Sequence, residues 1–389
     1  MKILMLAPEP FFQPRGTPIS VYFRIKALSD LGHEVDLITY PLGEDKNIKN
    51  LKIIRVPRPF FVNKIKIGPS LTKIPLDFML LCTALWRLIK KRYDLVFSHE
   101  EASWFGTALG KLFRIPHIYD MHSSLPQQLK NFAFSRSRLI IGIFSWLEKF
   151  VLKNSAVVLV ICTDLLNKVQ KTGFASKAVL LENFLDFDSP EYSREEKDQT
   201  RSKYAQEDDK IVMYAGNFEP YQGISLLLEA AAQLKARPVV FLLVGGTALE
   251  VEKMRIQVNH LSISDKVHFV GQVSPSRVPL FISIADVLVS PRISGTNTPL
   301  KIYSYLKSGK PIVATDLWTH TQILNHKISI LVEPNAENLA EGISYALTDK
   351  QAAAFAREFA EREFSASRYA EKMTVALKKA QDWRKSPHS

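Results

Sequence analysis

The chain has 389 residues, of which 46% are hydrophobic and 23% are charged. This length and composition exclude a small disulfide-stapled scaffold and a globally disordered protein, and they indicate two globular domains. The two cysteines, Cys82 and Cys162, lie in apolar stretches and are too few for a disulfide framework or a thiolate metal site. No signal peptide pattern and no apolar run of roughly 18 residues is present, so a cytoplasmic protein, soluble or peripheral on the inner face of the cell membrane, is expected.

The formal net charge of +12 lies entirely in the first half of the chain. Residues 1–183 contain 26 lysines and arginines against 14 acidic residues, whereas the remaining residues contain 25 of each. This asymmetry predicts a domain that faces an anionic partner, such as a membrane surface, although a solvated basic surface explains it equally well. Because no RNP, zinc-finger or basic-helix motif accompanies the charge, we predict no nucleic acid partner.

Short apolar runs alternate with helical patterns along the chain, which is typical of buried parallel strands in an α/β fold. A polar, charged stretch over residues 184–210 predicts a linker, and residues from 349 onward predict one or two terminal helices. We expect two doubly wound Rossmann-like domains, 1–185 and 186–365, that face each other across a ligand cleft, and a C-terminal helix within 366–389 that could pack back on the first domain. The predicted strands are residues 2–7, 34–40, 51–56, 93–98, 116–120, 156–161, 177–181, 211–215, 239–245, 266–270, 286–290, 311–315 and 328–332.

The turn after the first strand contains Gly16, Thr17 and Pro18 ahead of a helical pattern that starts at Ile19. Gly16 permits a close backbone approach, Thr17 can cap the helix, and Pro18 suits the first helical position. The turn therefore predicts a helix N-terminus that binds an anion. The alternative is a proline-stiffened loop that only turns the chain.

Titratable side chains follow the fourth and fifth predicted strands, namely His99 and Glu100 after one, and Asp120 and His122 after the other. We expect them at the ligand-binding edge of the sheet, with a structural role for either histidine as the alternative. Together with His117 they would suggest a metal, but successive strand residues point to opposite faces. We therefore predict neither a metal nor another cofactor.

A turn in the second half contains Arg292 and Lys301 around the sequence Thr298-Pro299. Thr298 as cap, Pro299 as first residue and Gly309 as terminator predict one short helix. The free amides before it, with the two cations, offer a phosphate or pyrophosphate site, unless both cations are solvated surface charges. A weaker anion candidate without a cation is the turn 216–223.

With these turns in place, the chain resembles the family 4 (group 1) retaining glycosyltransferases, which have the GT-B fold. The resemblance spans nearly the whole chain. It is carried by the loop through Gly16, Leu31-Gly32-His33-Glu34-Val35, Asp94-Leu95-Val96-Phe97-Ser98-His99, Ile115-Pro116-His117-Ile118-Tyr119-Asp120-Met121-His122, Glu182-Asn183-Phe184-Leu185-Asp186, Tyr214-Ala215-Gly216, Gly223 with Leu226-Leu227-Leu228-Glu229-Ala230, and Ser308-Gly309-Lys310-Pro311-Ile312-Val313-Ala314-Thr315-Asp316.

The resemblance implies transfer of a sugar from a nucleotide-sugar donor to a cell-envelope, lipid-linked or polysaccharide acceptor, with retention of configuration and without a metal. The first half would bind the acceptor, with His99 and Glu100 on the acceptor side, and the second half would bind the donor. Gly16 matches the glycine loop beside the donor phosphates. His122 matches the histidine near the transferred sugar, where it would orient the sugar or the acceptor hydroxyl.

Four family positions carry different residues here. The paired arginine and lysine that grip the diphosphate fall on Asn217 and Gln222, and two glutamates spaced eight apart fall on Thr296 and Ser304. These departures leave open a catalytically silent GT-B protein that binds a partner glycosyltransferase or a glycan.

Our hypothesis is that Arg292 and Lys301 neutralise the diphosphate instead, and that neutral side chains supply the remaining hydrogen bonds. The predicted donor-binding residues are Gly16, Asn217, Gln222, Arg292, Thr296, Asn297, Lys301 and Ser304.

Residues 128–150 mix cations and aromatic residues ahead of a strongly apolar helical pattern. An interfacial helix that contacts anionic lipid has this composition, and so does a core helix with a basic approach loop. The anionic membrane surface is therefore an open partner prediction.

Overall fold

The computed structural model describes residues 1–13, 16–60, 62–63, 65, 70, 72–124, 126, 138–183, 191–349 and 351–384. The chain divides into two compact units. Unit 1 contains Met1–Phe184 and Ala366–Ser389, and unit 2 contains Leu185–Ser365.

Unit 1 is built on a seven-stranded sheet in the order β3-β2-β1-β4-β5-β6-β7, with every neighbouring pair parallel. Five of the strands are buried or nearly so along their length, because helices cover both faces of the sheet. The strands are β1 (Lys2–Ala7), β2 (Glu34–Thr39), β3 (Leu51–Arg55), β4 (Leu95–His99), β5 (His117–Met121), β6 (Val157–Val160) and β7 (Ala178–Leu180). The helices between them are α1 (Gly16–Asp30), α2 (Lys73–Lys90), α3 (Ala102–Phe113), α4 (Arg138–Asn154) and α5 (Thr163–Lys171).

Unit 2 is built on a six-stranded sheet in the order β10-β9-β8-β11-β12-β13, which is again parallel throughout. Its strands are β8 (Lys210–Gly216), β9 (Val239–Gly245), β10 (Val267–Gly271), β11 (Val287–Ser290), β12 (Ile312–Thr315) and β13 (Ile330–Val332). Its helices are α6 (Arg194–Arg201), α7 (Ile224–Gln233), α8 (Ala248–His260), α9 (Val278–Ile284), α10 (Lys301–Ser308), α11 (Trp318–Thr321), α12 (Ala336–Thr348) and α13 (Gln351–Glu363).

The last helix, α14 (Ala366–Trp383), belongs to unit 1, where it packs on α1, β6 and β7. Its buried face includes Tyr369, Met373 and Leu377. Since these residues join helices and strands of the first half, the end of the chain is part of the core of unit 1.

The two parallel-sheet α/β units confirm the predicted fold class, and all thirteen predicted strands are present to within two residues at either end. One helix was missed, because α6 lies inside the predicted linker. Its start carries a capping box in which Ser193 Oγ accepts from the Glu196 amide at 3.1 Å and the Ser193 amide donates to Glu196 Oε2 at 2.9 Å. The Ser-x-x-Glu signal for this box is visible in the sequence.

The predicted helix starts need two corrections. Helix α1 begins at Gly16, so Thr17 and Pro18 lie inside its first turn rather than at its cap and first position. Helix α10 begins at Lys301 after Leu300, and the Thr298 hydroxyl caps nothing, because it is buried without a hydrogen-bond partner among the described residues. Gly309 does end α10, with φ of 65°.

None of the helices formed by the described residues combines the length and the apolar character needed to span a membrane.

Candidate functional site

Three titratable side chains of unit 1 meet where β4 and β5 end. The two strands are adjacent and parallel, and their register places His99 directly beside Asp120, with His122 one residue beyond β5. His99 Nδ1 lies 3.1 Å from His122 Nε2, and both nitrogens lie 3.4 Å from Asp120 Oδ2. Sequence reasoning placed these residues at the same sheet edge but did not find that His99 completes the cluster.

A buried arginine holds this cluster from the opposite side. Arg24 of α1 donates from Nε to Asp120 Oδ2 at 2.8 Å and from Nη2 to the Leu181 carbonyl at 2.8 Å. Its Nη1 donates to the Tyr369 hydroxyl of α14. A chain of polar contacts thus runs from Tyr369 through Arg24 and Asp120 to His122. A charged residue on the buried face of the apolar helix α1 is the sequence signal that was overlooked.

The residues of the cluster differ in charge: Asp120 and Arg24 are ionised, whereas His99 is neutral. Burial alone would raise the pKa of the Asp120 carboxyl, but Arg24, His122 and His99 together outweigh the effect of burial and hold that pKa well below its usual range. Burial lowers the pKa of His99 to about 3, so His99 is neutral, and its Nε2 is buried without a hydrogen-bond partner among the described residues. Asp120 and Arg24 therefore form a matched buried ion pair that orients two histidines.

The spacing of His99, Asp120 and His122 would permit a metal ion, because one ligand atom of each lies within 4.8 Å of the others. These three side chains are poor ligands for a metal ion, because Asp120 Oδ2 already accepts a hydrogen bond from the positively charged Arg24 guanidinium at 2.8 Å. A metal bound there would lie beside a fully buried positive charge. The cluster is better suited to orienting hydrogen-bond donors and acceptors.

Glu100 follows β4 directly and adopts a left-handed backbone conformation with φ of 46°. Its Oε2 accepts from the Ser123 hydroxyl at 3.0 Å. Burial raises the pKa of Glu100 to about 7, and His122 lowers it less strongly. Unit 1 therefore places a carboxyl that titrates near neutral pH beside His122.

In unit 2, the turn after β8 and the turn after β11 pack against each other. The Ile293 amide donates to the Tyr221 carbonyl at 3.0 Å, and a Cβ on Gly223 would lie 1.9 Å from the Pro291 carbonyl oxygen. Gly223 also has φ of +73°, so a larger residue is excluded on both grounds. The two turns identified in the sequence as separate anion candidates are thus one continuous surface.

Lys301, the first residue of α10, lies over the turn after β8. Its Nζ is 3.6 Å from the ring centroid of Tyr214 and donates to Gln222 Oε1 at 3.3 Å. A Cβ on Gly216 would lie 3.0 Å from this Nζ. Burial, and then the charge of Arg292, lowers the pKa of Lys301 well below its usual value. This ammonium has therefore lost part of its solvent, and no carboxylate among the described residues pairs with it.

Arg292 lies beside the same turn. Its Nη1 donates to the Asn297 carbonyl and to Thr319 Oγ1, each at 2.8 Å, and its guanidinium lies 5.1 Å from the ring centroid of Tyr221. Burial lowers its pKa. Arg292 and Lys301 are partly buried and rest on tyrosines, and within the part of the chain that the structure describes neither forms an ion pair with a carboxylate.

The other predicted donor residues are spread around these cations. Asn217 is exposed next to Gly216, and Gln222 is buried beside Lys301. Ser304 lies one turn after Lys301 on the same side of α10. Thr296 and Asn297 form the turn before α10, where their carbonyls accept from Gln322 and Arg292. Sequence reasoning missed Tyr214, Tyr221 and Thr319, which no local pattern distinguishes from core residues.

Comparison with known proteins identifies the family. Residues 14–189 match Glycosyltransferase Family 4, and residues 195–363 match Glycosyl transferases group 1. Over 327 residues the chain is 25% identical to the alpha-monoglucosyldiacylglycerol synthase of Streptococcus pneumoniae, a match that covers 81% of this chain and 71% of that protein. It is 24% identical over 343 residues to the phosphatidyl-myo-inositol mannosyltransferase of Mycolicibacterium smegmatis, which covers 83% of this chain and 78% of that protein.

The fold has counterparts among solved structures. The crystal structure of Anabaena Alr3699/HepE in complex with UDP has a TM-score of 0.75 and 19% identity, and the match covers 97% of this chain and 100% of that one. The family matches in both halves of the chain agree with the observed fold, in which each half forms a parallel-sheet unit. The chain therefore belongs to the family 4 and group 1 glycosyltransferases of the GT-B fold.

Proposed function

We propose that this glycosyltransferase transfers a sugar from a nucleotide-sugar donor to a cell-envelope, lipid-linked or polysaccharide acceptor, with retention of configuration and without a metal ion. The observation that carries the proposal is the pair of partly buried cations, Arg292 and Lys301, that no carboxylate among the described residues neutralises. A diphosphate supplies the missing negative charge. The UDP bound to the similar structure is an anion of this kind.

Desolvation favours anion binding at this pair of cations. Arg292 and Lys301 have lost part of their hydration in the folded protein, so a ligand need not remove it again. Contacts with tyrosine rings compensate only weakly for that loss. Phosphate oxygens that accept from both cations would form charge-assisted hydrogen bonds, each worth about 1.5–3 kcal/mol.

The remaining predicted donor residues contribute neutral hydrogen bonds. Gln222 orients the Lys301 ammonium through the contact at 3.3 Å. The amide and hydroxyl groups of Asn217, Thr296, Asn297 and Ser304 are proposed to form these bonds with the donor. The assignment of Gly16 to the donor phosphates rests on the family resemblance and stays a prediction.

In the proposed reaction the bond between the anomeric carbon and the diphosphate breaks, and the acceptor hydroxyl attacks the sugar from the same face. The hydroxyl proton passes to the departing phosphate oxygen, so no separate base is required. Arg292 and Lys301 stabilise the charge that develops on the leaving group, which is the largest contribution expected in such a transfer. The name of the Streptococcus relative describes an alpha-linked glucoside, which supports retention.

His122 is proposed as the catalytic residue of unit 1, where it orients the sugar or the acceptor hydroxyl. Asp120 fixes the His122 ring, and Arg24 fixes Asp120. His99 and Glu100, at the ends of the same strands, are proposed to contact the acceptor. A metal is not required in this scheme because the two cations of unit 2 supply the positive charge at the diphosphate.

The test is calorimetric titration of UDP-glucose into the wild-type chain and the variants Arg292→Ala and Lys301→Ala. Each substitution should weaken binding roughly ten- to hundredfold, the equivalent of one charge-assisted hydrogen bond. Lys235→Ala removes an exposed cation beyond α7 and should leave the affinity unchanged. Unchanged affinity in both site variants would refute the proposed donor site.

Turnover is tested separately by measuring UDP release from UDP-glucose with candidate acceptors. Release that depends on the acceptor supports the transferase reaction. If the chain binds the donor tightly but releases no UDP with any lipid or saccharide acceptor, the result would favour a catalytically silent GT-B protein. Thr296 and Ser304, which replace two family glutamates, are the reason for this alternative.

A further inference from the structure

Helix α2 of unit 1 exposes an apolar stripe to solvent. Between Ile74 and Ile89 every exposed residue of the helix is apolar or a cysteine, and the exposed residues recur at the helical spacing of three to four. Phe78 is 66% exposed and Trp86 is 55% exposed. An ordinary surface helix has the opposite pattern, with charged residues on its solvent face.

Helix α4 shows the same feature. Leu139 at its start is 74% exposed, and Trp146 two turns later is 64% exposed. Ile140 and Ile143 are also exposed. Helix α3 packs against both α2 and α4, so all three cover the same part of unit 1. Large apolar patches on a soluble protein indicate an interaction site.

The stripes extend to the edge of the sheet that carries His99 and His122. Helices that connect parallel strands run antiparallel to them, so α2 and α4 start at the end where β4 and β5 finish. A cavity of about 170 Å³ joins the first turns of α2 to the residues that follow β4. Its lining residues are Asp77, Phe78, Leu81, Glu101, Trp104 and Phe105.

The helices that carry the apolar surface also carry exposed positive charge. Residues 51–150 contain 16 lysines and arginines but only 6 acidic residues, which accounts for most of the net charge of +12. Lys90 of α2, Lys111 of α3, and Lys149 and Lys153 of α4 are exposed in the C-terminal parts of these helices. An apolar face with aromatic residues and a basic border is complementary to an anionic lipid surface.

We propose that this docking face binds the surface of an anionic phospholipid bilayer and presents a lipid-borne acceptor to unit 1. The second part rests on the proposed function, because it assigns the acceptor to the lipid-linked class. A second copy of the chain is a poorer occupant, since a symmetric contact would bring two strongly basic surfaces together. The docking face consists of Ile74, Phe78, Trp86, Ile89, Leu139, Ile140, Ile143 and Trp146.

The experiment is co-sedimentation of the full chain with vesicles of phosphatidylcholine alone and of phosphatidylcholine mixed with phosphatidylglycerol. We expect at least tenfold tighter binding to the anionic vesicles. The double variant Phe78→Ser/Trp86→Ser should lose tenfold or more of that affinity. Lys90→Gln/Lys149→Gln should mainly reduce the difference between the two vesicle types.

The matched control is Leu249→Ser/Ile256→Ser, which removes apolar side chains of α8 in unit 2 that are 68% and 55% exposed. It should bind vesicles as the wild type does. Equal binding to both vesicle types, or no loss in Phe78→Ser/Trp86→Ser, would overturn the proposal. So would a dimer, seen by light scattering, that Phe78→Ser/Trp86→Ser dissociates.

Titration with UDP-glucose in vesicle-free buffer separates this inference from the proposed function. Phe78→Ser/Trp86→Ser should bind the donor with wild-type affinity, and a circular dichroism spectrum and urea midpoint like those of the wild type will show that its unit 1 is folded. Vesicle binding by a chain that binds no UDP-, GDP- or ADP-sugar would leave the docking face intact and refute the donor site. Donor binding without vesicle binding would support the donor site and refute the docking face.

Discussion

Arg24 in unit 1 is fully buried and Arg292 in unit 2 is partly buried, but among the residues that the structure describes only Arg24 of the two has a carboxylate partner. Asp120 accepts from Arg24 at 2.8 Å, whereas the guanidinium of Arg292 meets a carbonyl, a hydroxyl and a tyrosine ring. A matched ion pair holds its neighbours in place. An unmatched cation in a polar turn is suited to bind an anion that arrives from solution. The difference supports the orienting role proposed for the cluster of unit 1 and the anion-binding role proposed for the surface of unit 2.

The largest expected effect is on stability, and it should differ between the two arginines. Arg24→Met leaves the buried Asp120 carboxylate unpaired, so the free energy of unfolding should fall by about 3–5 kcal/mol. Arg292→Met leaves no unpaired carboxylate, and Thr319 continues to donate to the Asn297 carbonyl at 2.6 Å. Its effect should stay below about 1 kcal/mol. Urea denaturation followed by circular dichroism measures both, and similar losses would contradict the comparison.

His117 extends the comparison of matched and unmatched buried groups to a histidine, because its hydrogen-bond partners among the described residues are neutral hydroxyls. Its ring lies 2.6 Å from Ser98 Oγ and 3.0 Å from Ser155 Oγ, and burial lowers its pKa to about 3 from 6.5. Between these values the unfolded chain binds a proton that the folded chain does not. The stability from neutral His117 is therefore complete above pH 6.5 and is lost as the pH falls toward 3.

The expected slope for this histidine is about 1.4 kcal/mol per pH unit within that window. Urea midpoints of the wild type and of His117→Gln should be measured at several values from pH 7 downward. His117→Gln should show a shallower decline with acid than the wild type. Identical pH dependence of the two proteins would contradict neutral burial of His117.

Lys301 provides a test of the unmatched charge in unit 2. Burial lowers its pKa well below the usual value, and a bound diphosphate should raise that pKa again. Donor binding should therefore take up a fraction of a proton, and the affinity should fall as the pH rises. Titration of UDP-glucose in buffers of different ionisation enthalpy measures the uptake. Lys301→Arg should bind without uptake, and uptake that persists in this variant would exclude Lys301 as its source.

Glu100 is a carboxyl of unit 1 that forms no ion pair among the described residues, and it carries the smallest expected effect. Burial raises its pKa to about 7, so its charge changes near neutral pH. The rate of transfer should show an inflection near pH 7, with a change of less than about tenfold, that Glu100→Gln removes. The pH profile of kcat/KM with saturating UDP-glucose measures it. An inflection that survives in Glu100→Gln would assign the titration to another group.

Much of the fold could be predicted because parallel strands buried on both faces require continuous apolar runs. The positions of His99 and His122 at one sheet edge followed from the same runs. The contact between Arg24 and Tyr369 could not be predicted, since it joins residues 345 positions apart through helix packing. The helix cap predicted at Thr298 was wrong for a related reason. Thr-Pro is a common helix start, but in the packed turn the Thr298 hydroxyl does not accept from the first amides of α10.

The amino-acid sequence by itself determined the two parallel-sheet units and the strand ends that carry polar residues, because hydrophobic periodicity is a local property. Which charges are matched was decided by the tertiary structure alone. Asp120 meets Arg24, whereas Lys301 meets a tyrosine ring and an amide, and nothing in the local sequence distinguishes these two cations. The stabilisation of a charge depends on its neighbours and on the water it has lost, and both are set only when distant segments pack together.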